Sequence, residues 1–295
     1  MTDRMVDISE HAARLSVRNS LLLIEREGEE VTIPLSDMGV LVVAHPQVSF
    51  THAVLTGLAQ NGASLVVCDS RHMPAAMLLP LEAHFVQGER FQQQAGAPLP
   101  LRKRLWQQLV RAKIRAQARC LEELQGCEQG LADLARKVRS GDPSNCEAQA
   151  SRRYWPALFG DPQFRRDPAA EDQNRFLNYG YAVVRAIVAR AVCAAGLHPS
   201  LGLHHHNRYD AFCLVDDLME PFRPIVDRTV VGLCAEMGAE APMEKETRAR
   251  LLEPLTGRFL VEGENRTLFD IAARVAQSLA AVYAGKGKNL VLPEV

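Results

Sequence analysis

The sequence predicts an α+β fold of more than one domain: an N-terminal, mainly β domain, sandwich-like in its alternation, followed by a larger all-α domain. Three observations carry this. From Arg14 to about Leu79, short apolar runs are separated by turn residues. From residue 101 onward, nearly every window repeats its apolar residues at helical spacing. Between the two, the stretch LEAHFVQGERFQQQAGAPLPL closes on Gly-Ala-Pro-Leu-Pro, the composition of a connector. The expected organisation is a β domain over 1–80, a linker over 81–100 and a helical domain over 101–295.

In chain order, RLSVRNSLLLIEREGEEVTIPL reads as a hairpin, two apolar runs about a Glu27-Gly28-Glu29-Glu30 turn. Strands are expected at Gly39 to Val43 and Ser64 to Cys68, with a helix from Ser49 to Gln60 ended by Asn61-Gly62. Helices are expected over 101–139, 144–154, 172–195, 213–220, 244–254 and 266–284, broken at Gly141-Asp142-Pro143, Gly196 and Gly257. The tail after Gly285 is expected to be mobile.

Composition narrows the function classes. An apolar fraction of 47% over 295 residues permits real cores. No apolar run approaches the ~20 residues of a membrane span, and the polar, acidic start does not read as a signal peptide, so a cytoplasmic protein is expected. Seven cysteines without a C-x-x-C pair predict reduced thiols rather than a disulfide framework or a cysteine zinc site. No phosphate-binding or dinucleotide-binding glycine motif is present. The net charge of −1 offers nucleic acid no general attraction, yet residues 101–121 hold seven Lys or Arg and no acid. At 100° per residue, Arg104, Arg111, Arg115 and Arg119 fall within roughly a quarter of the helix circumference, a stripe that is either a solvated face or a phosphate-binding one.

Three segments carry candidate chemistry, each with a bland alternative. Ser144 and Glu147 have the S-x-x-E spacing of a helix capping box, while Arg152, Arg153 and Tyr154 follow on the same helix. His204, His205 and His206 are adjacent and so point in different directions; at most one readily serves a metal, and the cluster otherwise reads as polar loop. In LVDDLMEPFRP, a short helix stopped by Pro224, Asp217 and Glu220 share a face and Asp216 is turned from them. Two such acids are either solvated or hold a cation.

Taken together, SNCEAQASRRYW (144–155), NRFLNYGYAVV (174–184), GLHPSLGLHHHNRYDAFCLVDDLMEPFRPIVD (196–227) and the N-terminal hairpin with its sequel SFTHAVLTGLAQNGASLVVCD resemble the CRISPR-associated integrase family of spacer acquisition. The wording around Asn207 and DDLMEPFRP is most similar to members that accompany a single-protein RNA-guided effector nuclease. The resemblance implies a metal-binding glutamate at Glu147, in the pattern Asn145-x-Glu147 with Arg152 and Tyr154; a histidine at His205, three residues after Gly202; and a carboxylate at Glu220, with Asp217 as a second acid. It implies Mg²⁺ or Mn²⁺, a homodimer contacted through the β domain, and a small ferredoxin-like partner subunit in a heterohexamer bound to DNA. The implied reaction is attack by the 3′-hydroxyl of a new spacer on a phosphodiester at the CRISPR repeat. Arg104, Arg111, Arg115, Arg152, Arg153 and Tyr154 are the expected DNA contacts. A hydrolytic nuclease of branched DNA and a non-catalytic DNA-binding scaffold are the alternatives.

Overall fold

The computed structural model describes residues 4–69, 74–80 and 84–293. The chain opens with β1 (Arg4–Ile8), β2 (Arg14–Arg18), β3 (Leu21–Arg26), β4 (Glu29–Pro34), β5 (Met38–Val43) and β6 (Ser49–Phe50), then α1 (His52–Gln60), β7 (Ser64–Cys68) and β8 (Pro74–Leu78). The expected hairpin about Gly28 is the β3–β4 pair, but its first apolar run is itself divided. Asn19 and Ser20, both at positive φ, turn the chain between β2 and β3, giving a three-stranded meander.

Two four-stranded sheets result, in the orders β4-β3-β2-β6 and β1-β5-β7-β8. In the second sheet β1, β5 and β7 are parallel, and β8 closes its edge antiparallel to β7. Strand β5 is buried along its whole length. Leu41 and Val43 face the meander and α1, whereas Val40 and Val42 face the helical region with Val66 and Cys68 of β7. A strand buried on both faces reads as a continuous apolar run, which is why MGVLVV lacks polar alternation.

The stretch read as a linker is not a simple connector: residues 81–83 lie outside the described residues, and beyond them stands α2 (Gln87–Ala95). Gln94, buried at 4% exposure, donates to the carbonyls of His198 and Leu201 and accepts from the His198 amide, so the segment is docked. Next come α3 (Leu99–Gln125) and α4 (Leu131–Lys137), where one helix was expected over 101–139. Gly126, at φ 66°, ends α3 in the left-handed conformation.

The helical region continues with α5 (Cys146–Phe159), α6 (Asn174–Ala194), α7 (Cys213–Met219), α8 (Arg223–Met237) and α9 (Lys245–Leu252), then β9 (Arg258–Val261), β10 (Glu264–Thr267) and α10 (Leu268–Tyr283). Two features depart from the expected all-α domain. Pro224 does not stop a helix but stands in the first turn of α8, where its missing N–H costs nothing. Strands β9 and β10 form an antiparallel hairpin between α9 and α10.

Helix α6 is long and apolar enough to cross a membrane by length and composition, yet most of its apolar stretch is buried inside the fold, where it packs on α10, α7 and α8. The tail is pinned rather than loose: the Leu290 amide donates to Gln108 of α3 at 2.8 Å and the Val291 amide to Ser278 of α10 at 3.0 Å. Across the chain, Arg248 of α9 joins Asp7 at 3.0 Å and Glu10 at 3.3 Å, tying the first sheet strand to the helices.

Candidate active site

Helix α5 begins at Asn145, which adopts a left-handed conformation and accepts from the Ala148 amide. Asp142 caps the two preceding donors, taking the amides of Cys146 at 2.9 Å and Glu147 at 3.0 Å. The Ser144–Glu147 capping box is therefore not formed, because Asp142 and Asn145 already occupy the orphan donors of the first turn. Glu147 is left free to reach across to α3, where Lys113 donates to its carboxylate at 2.7 Å.

The same ammonium touches Glu220 at 2.5 Å. Glu220 stands in the 3-10 turn Glu220–Phe222 joining α7 to α8, buried, with its other oxygen accepting from Arg223 at 2.9 Å. Its Oε2 is in ion-pair contact with Lys113 but has no hydrogen-bond geometry to any donor. Burial raises the Glu220 carboxyl, but Arg223 and Lys113 outweigh it and hold it at about 2. Burial likewise lowers the Lys113 ammonium, and Glu220 with Glu147 more than restores it, so both partners remain charged.

Of the three histidines, His205 belongs to this cluster. Its Nδ1 lies 2.6 Å from Asp217, and the charges of Glu220 and Glu147 both act on its ring. The hydrogen bond to Asp217 raises the imidazole above its ordinary value, against burial. His204 instead stacks on Trp106 at 4.3 Å, and His206 points to Arg102 at 3.5 Å. Asp217 corrects the sequence reading that made it a second acid at the metal. It is fully buried and accepts from the amides of Leu203, His204 and His205 as well as the ring, so its oxygens are committed to holding the histidine loop. Gly202 is required there: a Cβ would stand 2.4 Å from the His205 carbonyl oxygen and 3.0 Å from Asp217. Asp216 turns away to Arg185, as the helix geometry predicts.

Glu147, His205 and Glu220 are thus brought into one neighbourhood from α5, the histidine loop and the α7–α8 turn. Two carboxylates and an imidazole suit Mg²⁺ or Mn²⁺, and the paired glutamates already enclose a cation, the Lys113 ammonium. With Lys113 there, no three ligating side chains among the described residues converge on one point.

A cavity of about 700 Å³ opens beside Glu220, lined by Lys113, Gln117, Arg152, Trp155, Arg166 and Arg223, among others. Of the expected DNA contacts, Arg152 lies on this wall. Arg153 faces the other side of α5, toward Gln129. Tyr154 cannot touch DNA: it is fully buried and donates to Asp227 at 2.8 Å. The stripe of Arg104, Arg111 and Arg115 lies about 180° around α3 from Lys113; Arg104 and Arg115 are exposed, while Arg111 is drawn onto the Val138 carbonyl at the end of α4.

Sequence reasoning missed Lys113, Gln117, Arg166, Arg223 and Asp227. Asp227 of α8 accepts from the hydroxyls of both Tyr154 and Tyr181, joining α5, α6 and α8 behind the cavity, and burial pushes it up to about 7. For Lys113 a signal existed, since it is a charge on the apolar side of α3, in phase with Trp106.

Comparison with known proteins bears on the fold and the family. The family described as "CRISPR associated protein Cas1" matches residues 6–262. The CRISPR-associated endonuclease Cas1 of Neisseria meningitidis serogroup C is 36% identical over 289 residues, covering 97% of this chain and 94% of its own. Among solved structures, a casposase bound to integration product superposes with a TM-score of 0.78 at 19% identity, covering 97% of this chain and 92% of that one. A Cas6-RT-Cas1–Cas2 complex reaches 0.76 at 17% identity, over 100% of this chain and 36% of the other. These two share the fold. The extent of the family match and of the Neisseria relative leads to one conclusion: this chain belongs to the Cas1 family of CRISPR-associated proteins.

Proposed function

We propose that this chain is a metal-dependent DNA endonuclease and integrase of CRISPR adaptation, joining the 3′-hydroxyl of captured DNA to a phosphodiester at a CRISPR repeat. The observation that carries the reading is the pair of glutamates, from α5 and from the α7–α8 turn, closed about one cation position beside a carboxylate-held histidine. Relatives named as CRISPR-associated endonucleases, and a casposase of the same fold holding an integration product, support it.

Glu147, Glu220 and His205 would hold Mg²⁺ or Mn²⁺, which supplies charge stabilisation on the phosphoryl oxygens and favours the deprotonated nucleophile. The protein does the rest by position. Asp217 fixes the His205 Nδ1, so Nε2 is the ring nitrogen that would be left to hold the metal or take a proton from the attacking hydroxyl. Arg152, Arg166 and Arg223 on the cavity wall balance the charge of a phosphate lying against Glu220. One phosphodiester is exchanged for another, so the reaction needs no nucleotide energy.

The expected partners are DNA, a second copy of this chain and a small ferredoxin-like adaptation subunit; the last is supported by the Cas1–Cas2 complex of the same fold. A heterohexamer, cooperation with a single-protein RNA-guided effector nuclease and a cytoplasmic setting complete the proposal. The test combines the protein and its small partner with a short duplex and a supercoiled plasmid carrying the repeat, in Mn²⁺ or Mg²⁺, beside Glu147→Ala. Covalent joining lost in the variant is expected. Cleavage without joining would make it a hydrolytic nuclease, and unchanged activity in the variant would overturn the site.

A further inference from the structure

Lys113 occupies the place where two acidic side chains would receive a divalent ion. Its ammonium lies 2.7 Å from Glu147 and 2.5 Å from Glu220, and the residue is 9% exposed. A divalent ion at bonding distance from the same two oxygens needs the volume that Nζ fills. Two cations cannot share that space without strong repulsion in so buried a setting.

A second feature gives the ammonium somewhere to go. Gln117 lies one turn further along α3, on the same face, and lines the same cavity. It is 2% exposed, and its Oε1 is a buried acceptor with no hydrogen-bond partner. A buried amide oxygen left unpaired is costly, and a lysine four residues earlier can reach it by rotating its terminal bonds.

We infer that Lys113 is a displaceable counter-cation: it holds Glu147 and Glu220 together before the metal arrives, and metal entry moves its ammonium into the cavity, onto Gln117 Oε1. The inference rests on the reading of these glutamates as metal ligands. In the first position the lysine offsets the repulsion between the two acids. In the second it joins Arg152, Arg166 and Arg223 on the wall facing a DNA phosphate. Metal and DNA then assist one another, because the charge that metal expels is the charge that DNA meets.

The test is calorimetric titration of Mn²⁺ into the full-length protein without DNA, for the wild type, Lys113→Met, Gln117→Leu and the double variant. Lys113→Met is expected to bind Mn²⁺ roughly tenfold or more tightly, since the internal competitor is gone. Gln117→Leu is expected to bind it several-fold more weakly, and to have no effect once Lys113 is methionine. Equal or weaker binding by a folded Lys113→Met, or the same Gln117→Leu effect in both backgrounds, overturns the exchange. Should Lys113→Met not fold, Gln117→Leu with the lysine intact decides, unchanged affinity being the negative result. Failure of the metal-site reading is distinct: the wild type would then bind Mn²⁺ no better than Glu147→Ala.

Discussion

At the scale of single residues, Asp217 holds the histidine loop in place. Its carboxylate takes three backbone amides and the His205 ring in a fully buried position. Asp217→Asn exchanges one acceptor oxygen for a donor and should cost roughly 2 kcal/mol or more of stability, measurable by urea unfolding, with a fall in joining rate. It also bears on pH. His205 titrates above its ordinary 6.5, so the imidazolium–Asp217 pair contributes fully below 6.5 and its contribution is lost as pH rises through the raised value. If His205 is a metal ligand, as proposed, it must be neutral to bind, so Mn²⁺ affinity should climb over that same rise. In Asp217→Asn the climb should start at lower pH, and a variant whose profile coincided with the wild type would refute the coupling. Glu147, His205 and Glu220 were legible in the sequence because local wording marks them. Gln117 and Asp227 were not, and Lys113 showed only as a charge on the apolar side of α3, since nothing in the chain says which helix faces a given turn of another.

Between elements, the approach of α6 to α8 is set by Gly180. A Cβ there would stand 2.4 Å from a methyl of Val226, next to the Tyr181–Asp227 contact. Gly180→Ala should cost about 1–3 kcal/mol by overpacking, seen as a lower melting temperature. It should also slow joining, because the spreading of α6 from α8 shifts Arg223, whose guanidinium lies over the Tyr181 ring at 4.6 Å. A variant as stable and active as the wild type would mean that α8 adjusts freely. Most helices are readable from periodicity, and β5 and β7 nearly to the residue, whereas α1 starts three residues later than its spacing suggests because Ser49 and Phe50 form β6. Punctuation accounts for several of the departures: Pro224 opens α8 rather than ending a helix, Gly126 ends α3, and Asn19-Ser20 turns the chain inside a run that reads as strand.

For the molecule as a whole, α3 separates two basic regions. Arg104 and Arg115 look outward on the side away from Lys113, whereas Arg152, Arg166 and Arg223 flank the acids. Neutralising Arg104 and Arg115 together should lower the salt slope of DNA binding by roughly 2 if both meet phosphates, and leave the joining rate at saturating DNA nearly unchanged. Arg152→Gln should act the other way, slowing the joined product with little change in slope beyond one contact. An unchanged slope in the double variant would make the outer stripe a solvated face. The sequence shows Lys113 out of phase with the outer stripe but not what it faces, because the acids that define the inner side are contributed from elsewhere.

Strand β5 is common property, with Leu41 and Val43 serving one core and Val40 and Val42 the other. A fragment cut after residue 80 would keep its own interior yet lay bare a wall of branched aliphatic side chains, Val40, Val42 and Val66, once covered by α6. Such a piece should self-associate rather than stay dispersed, which sedimentation would register directly. The boundary visible in the sequence is a change of grammar, and cutting along it would open a wound rather than release a module.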